Sequence, residues 1–145
     1  MKTKLFDEIG GLETLQRVHK IFYDKVYAHE WLKHYFVNQN QTLIENQQTA
    51  FIGEKMGGKI SYVGKPPRYA HIHMYITEEL FEVRQALLRE ALQEAGLTPE
   101  HINRWLKIDG AFKHHIVKDS LESFHEEYTF KKRIIVDHYC PTNKN

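Results

Sequence analysis

The chain has 145 residues, with 20 lysines and arginines against 19 aspartates and glutamates and a formal charge of +1. That length fits one domain around one core, and the near-neutral balance gives no electrostatic reason for a nucleic acid or an anionic membrane as partner. The single cysteine, Cys140, excludes an internal disulfide and a cysteine-rich zinc site.

No apolar run approaches the roughly 18 residues that cross a bilayer, and the start MKTKLFDEIGG lacks the apolar core of a secretion signal. A soluble, cytoplasmic protein is expected. Ten histidines in a chain this short raise the question of metal or cofactor ligation.

Helical spacing recurs along the chain and strand-like alternation is nearly absent, so the expected class is all-α. FDEIGG reads as a short helix ended by Gly10 and Gly11, and Leu12, Leu15, Val18, Phe22 and Val26 mark the stripe of a second, with Tyr23 beside it. The turn-rich AHEWLKHYFVNQNQ carries aromatic anchors. Thr42 can then cap a helix with the stripe Ile44, Gln48, Phe51, Ile52, Met56, stopped at Gly57 and Gly58. KISYVGKPPR reads as loop.

Thr77 caps the next helix, whose stripe runs Leu80, Phe81, Arg84, Leu87, Leu88, Ala91, Leu92, Ala95 and ends at Gly96. Thr98 and Pro99 start a last, extended helix expected to run through Trp105, Phe112, Ile116, Leu121 and Phe124, with Gly110 a weak point midway. The tail KKRIIVDHYCPTNKN has a basic cluster and a short β-prone run without an evident partner.

Two stripe positions are polar, Gln48 and Arg84, and an unpaired polar group in a core costs about 1–3 kcal/mol. Glutamine can satisfy itself on a nearby hydroxyl, and an arginine stem can snorkel to water or meet a carboxylate. In YAHIHMYIT, His71 and His73 stand at i, i+2, about 200° apart on a helix. They are poor partners for one metal centre. His114 and His115 follow a lysine and read as surface, and no HExxH, nucleophile elbow, phosphate-cradling glycine loop or paired-cysteine motif occurs.

Taken in order, LFDEIGG, FYDKV, the YF of the crossing, QQTAFIGEKMGG and YVGKPPRYAHIHMYIT resemble the truncated haemoglobins, the small two-over-two globins, and most closely their group I, over roughly residues 4 to 120. The resemblance implies a globin-like two-over-two helical sandwich with an extended C-terminal helix and tail. It divides the chain into a haem domain at 1–130 and an extension of unassigned role at 131–145. It implies haem b, with His71 as the proximal iron ligand because it stands five residues before Ile76.

Tyr23 then matches the distal tyrosine, Gln48 the distal glutamine, and Ile44 the place where many longer globins carry a distal histidine. Phe36 packs on the haem face, Phe51, Ile52, Ile76 and Phe81 contribute to the pocket, and Arg68, Lys65 or Tyr62 meet the propionates. A Tyr23 hydroxyl held by Gln48 would stabilise bound dioxygen. His73 and Tyr75 stand where the family commonly has glycines. Arg84 replaces a valine or tryptophan beside the ligand, where it could reach a propionate, bond the ligand or obstruct haem entry.

The function so implied is binding of dioxygen, nitric oxide or carbon monoxide at a proximal-histidine iron, with oxygen transport as one use. Nitric oxide dioxygenase or peroxidase-like turnover would require an external reductase. The alternative is a globin-fold sensor or interaction module whose haem and C-terminal extension regulate a partner. A simple metal binder using the histidines is the weakest reading.

Overall fold

The computed structural model describes residues 3–118, 120–127 and 134–136. Eight α-helices lie among them: α1 Leu5–Glu8, α2 Gly11–Ala28, α3 Gln41–Lys55, α4 Pro67–Ala70, α5 Glu78–Glu94, α6 Pro99–Gly110, α7 Lys113–Ile116 and α8 Leu121–Glu127, with a 3-10 turn at Leu32–Tyr35. The long helices form two pairs, α2 with α3 and α5 with α6, joined through packing of α2 on α5 and α3 on α6. This is the expected all-α sandwich. None of the described helices is long and apolar enough to cross a membrane.

Local chemistry explains most boundaries. Gly10 adopts φ +106° between α1 and α2, and Gly57 adopts φ +91° just after α3, a region that side chains with a Cβ disfavour. The Thr77 hydroxyl accepts from the Leu80 amide at 3.0 Å and that of Thr98 from the His101 amide at 3.2 Å, so both predicted caps form. Leu15, Val18, Phe22 and Val26 of α2 meet Ile52 of α3 and Met56 just after it, Leu80, Phe81, Leu88 and Leu92 of α5, and Trp105 of α6 in one continuous core.

Four expectations are corrected. The α3 cap is Asn40, whose side chain accepts from the Leu43 amide at 2.9 Å, two residues before Thr42. Leu12 is 45% exposed, because the buried face of α2 is carried by Thr14, Leu15, Val18 and His19 instead. The loop before the His71 and His73 pair contains a one-turn helix, α4, which Pro66 and Pro67 can start because a first-turn residue needs no amide partner. The extended C-terminal helix is three pieces: α6 ends at Gly110 and α7 ends where Val117 turns extended at ψ 138°.

The β-prone run has a partner after all. Ile134 forms a parallel bridge with Met74; its amide donates to the His73 carbonyl at 2.8 Å and its carbonyl accepts from the Tyr75 amide at 2.8 Å. Of the extension, residues 131–133 and 137–145, Cys140 included, lie outside the described residues.

Candidate functional site

His71 follows α4 directly, at φ −114° and ψ 3°. Its Nδ1 lies 2.8 Å from the Pro67 carbonyl oxygen, and since a carbonyl only accepts, Nδ1 carries the proton and Nε2 keeps a free lone pair. Burial pushes the imidazole pKa down to about 4, with the charges of Arg84 and Lys118 acting in the same direction. A neutral ring, oriented by a backbone carbonyl and bare at Nε2, is the state a metal requires of a histidine ligand.

The segment around the ring is tied on several sides. Lys118 Nζ donates to the His71 carbonyl at 3.0 Å, the Lys118 amide donates to the Ile76 carbonyl at 2.8 Å, and the Tyr35 hydroxyl donates to the Tyr75 carbonyl at 2.9 Å. The extended bridge to Ile134 uses the backbone at His73 and Tyr75, which accounts locally for non-glycine residues there. His73 is half-buried beside this bridge.

Tyr23 is 6% exposed on α2, its ring 4.8 Å from Phe22 and 6.1 Å from Phe36 between centroids. Its hydroxyl has no hydrogen-bond partner among the described residues, and burial pushes its pKa well above the usual phenol value. Gln48 is half-buried on α3, also without a hydrogen bond among the described residues. The expected bond between Tyr23 and Gln48 is therefore not formed. The two residues sit on packed helices with their polar ends uncommitted.

The other expected pocket residues divide by depth. Ile52, Ile76 and Phe81 are buried, while Phe36, Ile44 and Phe51 are half-buried. Phe51 touches Tyr62 and Phe112, each at 5.0 Å between centroids. The Tyr62 hydroxyl donates to the Lys65 carbonyl at 2.6 Å, so this phenol proton is already committed and Tyr62 is a poorer propionate donor than expected. Arg68 is exposed and lines a cleft of about 740 Å³ shared with Ile72, Thr77, Glu78, Lys113 and Lys118. None of Tyr23, Gln48 and Phe51 borders that cleft.

Two polar pairs escaped the sequence reading. Arg84 donates through Nη1 to Asp109 Oδ2 at 2.7 Å and through Nη2 to Asp109 Oδ1 at 2.9 Å, a bidentate fork. Burial alone would lower the Arg84 pKa, but the Asp109 carboxylate more than offsets this and raises it. His19 Nδ1 lies 2.7 Å from Thr49 Oγ1, joining α2 to α3 inside the core. Asp109 was visible in principle, standing on the α6 stripe with Ile102 and Trp105.

Buried His19 has its pKa pushed down to about 3, burial being the main cause and Arg84 a second. The unfolded chain therefore binds a proton at His19 between about pH 6.5 and 3 that the folded chain rejects. Stability falls as pH drops through that window, by about 2 kcal/mol at pH 5 relative to pH 7 from this residue alone. Urea unfolding of haem-free wild type and His19→Phe at both pH values checks this. The variant should lose less stability on acidification, and an equal loss would assign the acid sensitivity elsewhere.

Among the described residues, the one group of three potential metal-binding side chains is Glu8, Glu100 and His101. Arg104 already pairs with Glu8 at 2.8 Å, and neither His71 nor His73 belongs to it.

Residues 4–118 match the family model for bacterial-like globins. The chain belongs to this family. Group 1 truncated haemoglobins are among its relatives: that of Mycolicibacterium paratuberculosis is 32% identical over 102 residues, covering 70% of this chain and 75% of the relative. The one from Tetrahymena pyriformis is 32% identical over 104 residues, or 72% of this chain and 86% of the relative. The crystal structure of the Tetrahymena pyriformis protein in its Fe(III) form superposes with a TM-score of 0.76 at 28% identity, over 81% of this chain and all of that one. This globin is thus a haem-binding protein of the truncated, group I type, and its free, neutral His71 fits haem b.

Proposed function

We propose that this globin binds dioxygen and related diatomic ligands, nitric oxide and carbon monoxide among them, with His71 holding the iron and Tyr23 acting as the main distal donor. Haem, when bound, would supply a redox-active iron able to take a diatomic ligand. The carrying observation is the Tyr23 phenol, 6% exposed and without a hydrogen-bond partner among the described residues. A ligand or water in the pocket is the natural partner of such an uncommitted hydroxyl. Its raised pKa keeps it a neutral O–H donor throughout the physiological range.

A phenol O–H donor would favour a diatomic ligand that gathers negative charge, as dioxygen does, over one that gathers little, such as carbon monoxide. In Tyr23→Phe, dioxygen dissociation measured by stopped flow should accelerate about tenfold or more, the worth of one hydrogen bond to a charged group. Carbon monoxide dissociation should barely change. Equal effects on both ligands would remove Tyr23 from the ligand's neighbourhood.

Gln48 is the reserve donor on α3, free to turn toward the ligand or the Tyr23 oxygen. Nitric oxide dioxygenation or peroxidase-like turnover would use the same residues and draw electrons from an external reductase. The sensor reading has one observation behind it. The Ile134 bridge reaches His73 and Tyr75, so a partner that pulls on the extension would act next to the iron ligand.

A further inference from the structure

We propose that the chain beyond the globin match acts as a strap on the proximal side: the segment 134–136, together with Lys118, positions His71 for the iron. This rests on the proposed role of His71 and adds positioning residues to it. The family match ends at residue 118, so 134–136 lie outside what the matched domain itself supplies.

Between His71 and the α5 cap Thr77 the chain forms no helix, so its backbone groups need partners from elsewhere. One is local, the Met74 amide closing a turn on the His71 carbonyl at 2.9 Å. The C-terminal chain supplies most of the others. Lys118 Nζ donates to the His71 carbonyl at 3.0 Å and the Lys118 amide to the Ile76 carbonyl at 2.8 Å. Ile134 takes the middle of the segment, its amide on the His73 carbonyl and its carbonyl on the Tyr75 amide, both at 2.8 Å.

The strap is itself seated. Ile134 and Val136 pack against the core while Ile135 between them is 44% exposed, the alternation of a strand with one buried face. Tyr35, whose hydroxyl donates to the Tyr75 carbonyl at 2.9 Å, also hydrogen-bonds the Val136 backbone, so one phenol joins the strap to the segment it holds. His73 and Tyr75 fit this arrangement, because glycine at paired positions weakens strand pairing. His71 is then fixed from two directions: α4 orients its ring through the Pro67 carbonyl, and the strap fixes the backbone that follows it. Outer partners of a metal-ligating histidine commonly change affinity by about 10–100-fold when lost.

The test uses the full chain loaded with haem b. Its readouts are the rate of haem loss to excess haem-free myoglobin, the iron–histidine stretching band of the ferrous protein by resonance Raman, and thermal melts of the haem-free chain. Ile134→Pro removes the amide that bonds His73; it should lose haem about tenfold or more faster than wild type, with the iron–histidine band shifted and broadened. Ile134→Ala keeps that amide and should lose haem less than about threefold faster, with the band in place. Haem loss within about twofold of wild type in Ile134→Pro would overturn the proposal. So would a lowered melting temperature with an unmoved band, which would make the segment a stabiliser of the fold alone, or an equal effect in Ile134→Ala, which would assign the effect to side-chain burial. If Ile134→Pro does not fold, Lys118→Met, which removes the ammonium donor to the His71 carbonyl and keeps the Lys118 amide, is judged by the same rate and band criteria. A wild-type band that persists in His71→Gly would overturn the proposed iron ligand itself, whereas a band lost in His71→Gly and unmoved in Ile134→Pro would overturn only this inference.

Discussion

His71→Gly should bind haem more than about 100-fold more weakly than wild type and lose the five-coordinate ferrous spectrum, and added imidazole should restore much of both. The magnitude follows from the ligand bond itself, since removing only an outer partner of a metal-bound histidine commonly costs about 10–100-fold in affinity. Rescue is expected because α4 and the Pro67 carbonyl remain in place, leaving a ring-sized space with an acceptor 2.8 Å from where Nδ1 stood. Exogenous imidazole can donate to that carbonyl and offer its other nitrogen to iron. An unchanged spectrum in His71→Gly would transfer the ligand role to another residue, with His73→Gly as the next variant. His73 is the poorer candidate: it lies in the turn that the Met74 amide closes on the His71 carbonyl at 2.9 Å, and its own carbonyl is committed to the Ile134 amide.

The elements that local chemistry controls were legible in the sequence. Gly10 and Gly57 end structure because their φ angles are positive, and Thr77 and Thr98 cap because a hydroxyl can reach the amide three residues on. The proposed iron ligand was legible only through family resemblance, since two histidines at i, i+2 do not by themselves say which one is oriented. In three dimensions the Pro67 carbonyl orients the His71 ring, which supports that proposal. Long-range partners stayed hidden. Arg84 was conspicuous on its stripe, but its carboxylate is 25 residues away on another helix, and the tail's β-prone run could not announce that it would pair beside Met74. His19 was missed because a histidine on a helical face is unremarkable until burial pairs it with Thr49 inside the core.

Asp109→Ala should be strongly destabilising, by about 3–5 kcal/mol, because it leaves the largely buried Arg84 guanidinium without its counter-charge. For a domain of this size that corresponds to a fall of roughly 10–20 °C in Tm, measurable by calorimetry on the haem-free chain. Gln85 Nε2, 3.3 Å from Asp109 Oδ2, loses its acceptor as well and gives nothing to the cation in return. The double variant Arg84→Met/Asp109→Leu should recover most of the loss, since apolar groups of similar volume replace a buried ion pair at little or no net cost. A loss below about 1 kcal/mol in Asp109→Ala would mean that the guanidinium swings to water and is not held in the pocket. The contrast between single and double variants separates two roles. A pair that is expensive to halve yet cheap to remove whole contributes little net stability, so its effect is to fix how α5 and α6 meet.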